Sequence, residues 1–144
     1  MSIQPYIRKP HYYETDQMGI IHHSNYIRWF EEARVDFMDK MGFGYDKMEE
    51  EGVASPVLAV ACDFKSMVRF GETVEIHVSL HTMTGVRMIL SYRVEDHDTG
   101  DLRAVGESRH CFINLKGRPV SLQKALPDVF SRFTAFLVSK TETQ

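Results

Sequence analysis

The stretch "ETDQMGIIHHSNYIRWFEEAR", residues Glu14 to Arg34, decides how the chain folds. Its second half carries Tyr26, Trp29, Phe30 and Ala33, continued by Phe37, at spacings of 3, 1, 3 and 4. At about 100° per residue these side chains fall on one narrow helical face, and Glu32, Asp36 and Asp39 lie off it. The spacing predicts a helix over Ser24–Met41, about 27 Å long at about 1.5 Å per residue. Ser24 or Asn25 offers a side-chain oxygen to cap its start. Gly42 and Gly44 stop it. A face made of Tyr, Trp and two Phe demands cover. The first half of the stretch is different in kind. It is a polar turn around Asp16 and Gly19, then the apolar pair Ile20-Ile21, then the adjacent histidines His22 and His23.

Strands supply the cover. Residues 6–14 read as a first strand, interrupted by Pro10 and so placed at an edge. A short second helix is expected over Tyr45–Glu51, with Glu49-Glu50-Glu51 as a solvated face. Val57–Val68 reads as a long, mostly apolar strand. Beyond it Val74, Ile76, Val78 and Leu80 alternate with Glu75, His77, Ser79 and His81, the pattern of a half-buried strand. Thr84-Gly85 turns the chain into a strand over Val86–Glu95. Asp98–Asp101 turns it again into Leu102–Leu115. After a turn at Lys116–Pro119, a C-terminal helix over Leu122–Leu137 carries Leu126, Val129, Phe130, Phe133 and Leu137. One early helix followed by strands in hairpin order is an α+β pattern. Its economical packing is a curved antiparallel sheet wrapped around the helix, in one domain spanning residues 1–144. The free edge of such a sheet pairs with a second copy, so a dimer is expected.

The 144 residues are 43% hydrophobic and 26% charged, enough for one real core. A formal charge of −3, from 17 basic and 20 acidic residues, argues against nucleic-acid binding by bulk electrostatics. It leaves room for a local basic patch that grips a phosphorylated small molecule. The first residues hold no apolar run of signal-peptide type, and the longest apolar run, Val57–Cys62, is far too short to span a membrane. No integral membrane association and a cytoplasmic location are expected. Cys62 and Cys111 lack CxxC spacing and read as buried thiols of a reducing compartment.

Three kinds of chemistry are tested against the residues. His77 and His81 lie four apart on one strand, about 13 Å between Cα atoms, too far to share an ion. With no HExxH or Cys/His cluster, no metal is expected. There is no GxSxG elbow and no glycine-rich phosphate loop. Asp16 remains, with two readings. It is a turn residue bonding its own backbone, or a base or nucleophile beside the free amides at a helix N-terminus. His23 divides the same way, between a hydrogen bond near the cap and a backbone N–H facing a substrate carbonyl. Ile20-Ile21 would restrict water there. Met18, Met67, Met83 and Met88 are candidates for an adaptable pocket, with core packing the plainer reading.

The block YETDQMGIIHHSNYIRWFEEAR resembles the signature of the 4-hydroxybenzoyl-CoA thioesterase family, among the hotdog-fold thioesterases, and is most similar to its YbgC-like branch. Thr15, Asp16, Gly19, His23, Tyr26, Glu31, Ala33 and Arg34 match as they stand, and Tyr13 falls close to the leading aromatic. DFKSMVRFGETVEI, with Arg69-Phe70-Gly71-Glu72, and FINLKGRPVSLQKALPDVF resemble later blocks, so the likeness covers residues 6–130. His22 departs from the tyrosine common in that branch, which bears on the acyl pocket. No second carboxylate of the other catalytic subtype stands on the helix, so Glu31 and Glu32 read as structural.

The resemblance implies a hotdog fold: a long central helix wrapped by a curved antiparallel sheet. It implies an acyl-CoA thioesterase that needs no cofactor, with Asp16 as general base or nucleophile and the His23 amide as an oxyanion donor. Tyr13, Gly19, Asn25, Lys65, Arg69 and Arg118 are the expected substrate-binding residues. Lys65 and Arg69, four apart on a strand, would face the same way, and Arg109, Lys116 and Arg118 add cations for the phosphates of CoA. The family assembles as homodimers or homotetramers with active sites at the subunit interface. An acyl-carrier-protein thioesterase and a non-catalytic acyl-CoA-binding protein are the competing readings. Retention of Asp16 speaks against the second. A hotdog dehydratase fits less well, because the carboxylate precedes the helix.

Overall fold

The aromatic stripe becomes a helix whose buried face is the one its spacing describes. The computed structural model describes residues 3–138. In chain order the elements are β1 (Tyr6–Arg8), a 3-10 turn (Tyr12–Glu14), α1 (Ser24–Lys40), α2 (Tyr45–Glu50), β2 (Val53–Ala54), β3 (Val57–Phe64), β4 (Val74–Met83), β5 (Arg87–Asp96), β6 (Leu102–Cys111), β7 (Ile113–Asn114), α3 (Leu122–Ala125) and α4 (Pro127–Thr134). Tyr26, Trp29, Phe30, Ala33 and Phe37 are all buried. Five strands form one antiparallel sheet in the order β1-β4-β5-β6-β3, and β2 and β7 form a separate two-stranded ribbon. Val74, Ile76 and Leu80 of β4, Met88, Leu90, Tyr92 and Val94 of β5, and Ala104 of β6 join the α1 stripe in one core. Register shifts at Val57/Ala59, Leu80/Thr82 and Val94/Glu95 bend the sheet around the helix. This is the hotdog arrangement expected from the resemblance.

Helix and sheet meet flat at one point. Phe30 stacks on Tyr92 with centroids 4.4 Å apart and planes 10° from parallel. Tyr92 pairs across the sheet with Gly106. A Cβ at Gly106 would stand 2.6 Å from Phe30 Cζ and 2.8 Å from the Ala61 carbonyl. The missing side chain is the slot that the phenyl ring occupies.

Several expected boundaries move. The first strand ends at Arg8, and Pro10 leads into the 3-10 turn instead of a longer strand. The Val57–Val68 strand stops at Phe64. There the Lys65 and Ser66 amides both donate to the Arg103 carbonyl, at 2.8 and 3.1 Å, and the chain leaves the sheet. The Leu102–Leu115 strand breaks at fully buried Phe112, which sends β7 to pair with β2. The C-terminal helix divides at Pro127, which lacks an N–H and holds Leu126 at φ −137° and ψ 71°. It ends at Thr134, short of Leu137. Both cysteines are free and half-buried rather than buried. Partial burial, reinforced by Asp63, pushes the Cys62 thiol up to about 11, so it stays an unreactive thiol. Met83 and Met88 pack in the core, whereas Met18 and Met67 are exposed.

β3 is an outer strand of the sheet, paired only with β6 among the described residues. Its Val57, Leu58, Val60 and Phe64 are exposed. No helix among the described residues is long and apolar enough to cross a membrane.

Candidate active site

The site is built on an anchor two residues before Asp16. Glu14 is only 4% exposed. Its carboxylate accepts from the His11 amide at 2.7 Å, the Trp29 indole N–H at 3.0 Å, and Arg8 through two nitrogens at 3.0 Å each. Burial works against its charge, but the His11 amide, the Trp29 indole and Arg8 together outweigh it and hold the carboxyl below the usual range. Arg8 also reaches Glu32 at 2.8 Å, and Glu32 accepts from the Tyr6 hydroxyl at 2.9 Å. Glu31 pairs with Arg34. Both helix glutamates are therefore engaged in tying α1 to its surroundings. The Glu14 backbone carbonyl accepts the His22 amide at 2.9 Å and the Asn25 side-chain amide at 3.0 Å. The loop is thus held to the sheet, the helix flank and the helix start at once.

From this anchor the chain makes a small hairpin. Thr15 bridges Ile21, the Asp16 amide donates to the Ile20 carbonyl at 2.9 Å, and the Gly19 amide returns to the Asp16 carbonyl at 3.0 Å. Gly19 sits at φ +76°, left-handed backbone that glycine adopts without strain. Asp16 is half-buried. Its Oδ1 accepts the Met18 amide at 2.8 Å, and Oδ2 has no partner among the described residues. The carboxylate therefore closes its own turn and still presents one free oxygen.

The helix start is organised differently from the capping expected at Ser24 or Asn25. Both residues lie inside α1, and the N-cap position is His23. The His22 ring does the work of a cap: its Nδ1 accepts the Ser24 amide at 3.2 Å and lies 2.9 Å from Ser24 Oγ. As Nδ1 is the acceptor, a neutral His22 carries its proton on Nε2. The Asn25 amide donates to the His22 carbonyl at 3.0 Å, and the Tyr26 amide donates to the His23 carbonyl at 3.3 Å. Among the described residues the His23 N–H is left without an acceptor. The departure noted at His22 thus has a local physical role.

A cleft of about 290 Å³ opens beside these groups. Its polar side chains are Asp16, His23, Lys65 and Ser66. Its apolar walls are Ile20, Ile21, Tyr26 and Phe64, with Met18 and Met67 also lining it. Phe64 stands edge-on to Tyr26 at 5.0 Å and to His23 at 6.2 Å, so the end of β3 rests on the start of α1. The His22 and His23 rings stack at 4.2 Å. Burial pushes the Tyr26 phenol up to about 12, which keeps it a neutral wall.

Of the eight expected site residues, Asp16, His23 and Lys65 line this cleft. Gly19 shapes the turn. Tyr13 is 76% exposed and stacks on His11 at 5.2 Å. Asn25 is buried, its side-chain amide spent on the Glu14 and His22 carbonyls. Arg69 contributes backbone, bridging Ile20 and donating its amide to Glu72 at 2.6 Å. Its spacing from Lys65 fixes no common face, because β3 has already ended. Arg118 lies in the turn after β7, its amide donating to Asn114 Oδ1 at 3.1 Å. Phe64 and Ser66 were hidden inside an overlong strand. The signal for them is the run Phe64-Lys65-Ser66-Met67, where the apolar stretch gives way to mixed residues.

Residues 10–133 match the thioesterase-like superfamily. YneP of Bacillus subtilis, provisionally named an acyl-CoA thioesterase, is 34% identical over 81% of this chain and 85% of its own. The acyl-CoA thioester hydrolase YbgC of an Escherichia coli O157:H7 strain is 23% identical over 85% of this chain and 91% of its own. Among solved structures, the DHNA-CoA thioesterase of Staphylococcus aureus superposes with a TM-score of 0.86 at 29% identity, covering 98% of this chain and 95% of that one. The chain belongs to the thioesterase-like superfamily. Its enzyme class is thioester hydrolase.

Proposed function

We propose that the chain hydrolyses an acyl-CoA thioester to free CoA and a carboxylic acid. One observation carries this reading: Asp16, with a carboxylate oxygen free, and His23, with a backbone N–H lacking an acceptor among the described residues, line the same cleft. The thioester carbonyl sits with its oxygen on the His23 amide, where charge develops as the carbonyl is attacked. A donor of this kind contributes about 3–4 kcal/mol to the transition state in other enzymes. Asp16 acts through Oδ2, as general base on water or as the attacking oxygen. The acyl group lies against Ile20, Ile21, Tyr26 and Phe64. Lys65 at the same cleft meets the anionic CoA. The names of YneP and YbgC support the acyl-CoA donor.

The working unit is a homodimer. β3 offers an unpaired backbone edge with Val57, Leu58, Val60 and Phe64 exposed, and Phe64 also lines the cleft. A second copy covering this edge finishes the sheet and one side of the site together. Two free thiols fit a reducing compartment, the cytoplasm.

The test is a panel of aromatic and aliphatic acyl-CoAs followed by thiol release, with wild type and Asp16→Asn in parallel. Turnover by wild type that collapses in Asp16→Asn is expected. No turnover of any member, or a fully active Asp16→Asn, overturns the assignment. Sedimentation reads the dimer separately, and a monomer at assay concentration overturns that part.

A further inference from the structure

Two Glu-x-His triplets, Glu75-Ile76-His77 on β4 and Glu95-Asp96-His97 at the end of β5, face each other across the sheet. Glu75 pairs directly with Glu95. Two carboxylates directly opposite each other on one sheet face repel and cost stability unless a cation lies between them. The intervening residue Ile76 is fully buried, so this pair stands on the sheet face turned away from the core. None of these residues lines the cleft.

We propose that Glu75, His77 and Glu95 form a divalent transition-metal site, with zinc as the probe ion, held in shape by His97. One ligand atom from each of the three lies within 4.8 Å of the others. His77 Nε2 is 3.1 Å from Glu75 Oε2 and 3.7 Å from Glu95 Oε1. Two ligands of a tetrahedral zinc at bond lengths of about 2.0–2.1 Å stand about 3.4 Å apart. The two separations from His77 bracket that value, and the Glu75 and Glu95 oxygens lie within 4.8 Å of each other, close enough to share the ion after side-chain adjustment.

The charge balance points the same way. His77 Nε2 faces two carboxylate oxygens and can carry one proton, which serves one of them. Arg93, directly across from His77, pairs with the other oxygen of Glu95 and offsets part of the negative charge. An ion in place of the proton bonds Nε2 and both carboxylates at once. One imidazole with two carboxylates is a donor set of borderline softness, suited to zinc, and the remaining coordination position is left to water.

His97 completes the arrangement from outside. Its Nδ1 is 2.8 Å from Glu75 Oε1, the oxygen not aimed at His77. That contact turns the carboxylate toward the ion, as outer-sphere partners do in metal sites. His81 takes no part, since its Nδ1 bonds Thr82 Oγ1 at 2.9 Å.

Isothermal titration of the full-length protein with zinc chloride tests the site. Wild type is expected to bind one zinc per chain. His77→Ala and Glu95→Gln should weaken binding at least 100-fold, and His97→Ala about tenfold. His81→Ala should bind like wild type. Cobalt titrated in place of zinc should give the visible absorption of a four- or five-coordinate ion, absent in His77→Ala. All four side chains lie on the surface, and melting without metal checks that each variant folds. No zinc binding by wild type, or binding that survives unchanged in His77→Ala, overturns the proposal.

Discussion

Glu14 and Asp16 are acids on the same loop, two residues apart, and they spend their oxygens in opposite ways. Glu14 is buried and saturated by the His11 amide, the Trp29 indole and a two-pronged Arg8. Asp16 is half-buried, gives one oxygen to the Met18 amide and keeps the other for the cleft. What separates the two carboxylates is how much accepting capacity their donors leave over. Burial alone does not separate them: Glu14 stays charged because its donors outnumber what burial costs.

The contrast is open to attack from both sides. Asp16→Asn should lower the thiol-release rate about 10²- to 10⁴-fold while leaving the melting temperature within a degree or two of wild type. A parallel fall in melting temperature would make Asp16 a second structural acid. Glu14→Ala should do the reverse, costing about 3–5 kcal/mol in urea unfolding because it removes one of the two carboxylates paired with Arg8 and leaves the buried Trp29 indole N–H without its acceptor. Such a variant, assayed as the fraction still folded, should keep most of its activity per folded molecule.

His110 extends the comparison to a buried group short of partners. It is 1% exposed, with Nδ1 lacking a partner among the described residues and Nε2 2.7 Å from Ser108 Oγ. Burial first, and the nearby Arg34 second, lower its pKa from 6.5 to about 4. As pH falls through about 6.5 the unfolded chain takes up this proton and the folded one does not. Stability is therefore complete above that pH and is lost between there and about 4, by about 3 kcal/mol from this residue. Urea unfolding of wild type and His110→Gln across that range should show the flatter profile in the variant. The smallest effect is at the helix start. His22→Ala removes the acceptor of the Ser24 amide and should cost about 1 kcal/mol, the worth of a lost cap. An unchanged urea midpoint would show that the ring does not act as one.

The sequence resolves this fold where periodicity is strong and loses it where single residues override the pattern. The α1 stripe and the alternation of β4 are readable because each has a long, regular burial pattern. The breaks at Phe64, Phe112 and Pro127 are local. Phe112 leaves its strand because it fills the core, which no alternation rule reports. Asp16 and His23 stood out as a motif, and Lys65 through its charge. The Glu14 anchor is invisible there because nothing in a linear sequence brings Arg8, His11 and Trp29 to one carboxylate. The same limit hid the Glu75–Glu95 pairing. Spacing along β4 sets His77 against His81, whereas its partners are Glu75 two residues back and Glu95 on the neighbouring strand.

The double use of Glu14 has a consequence for motion. Its side chain is fixed in the core and its carbonyl holds the His22 amide, so the hairpin that carries Asp16 is clamped at both ends and open only at its tip. Amide hydrogen exchange should record this as a steep gradient over a few residues. The Ile21 and His22 amides, donating to Val68 and Glu14, should exchange slowly, at rates set by large-scale opening. The Met18 amide, bonded only to the free-standing carboxylate of Asp16, should exchange orders of magnitude faster. Asp16 is thus mounted on a stiff stem with a soft end, able to make small movements without loosening the backbone at His22.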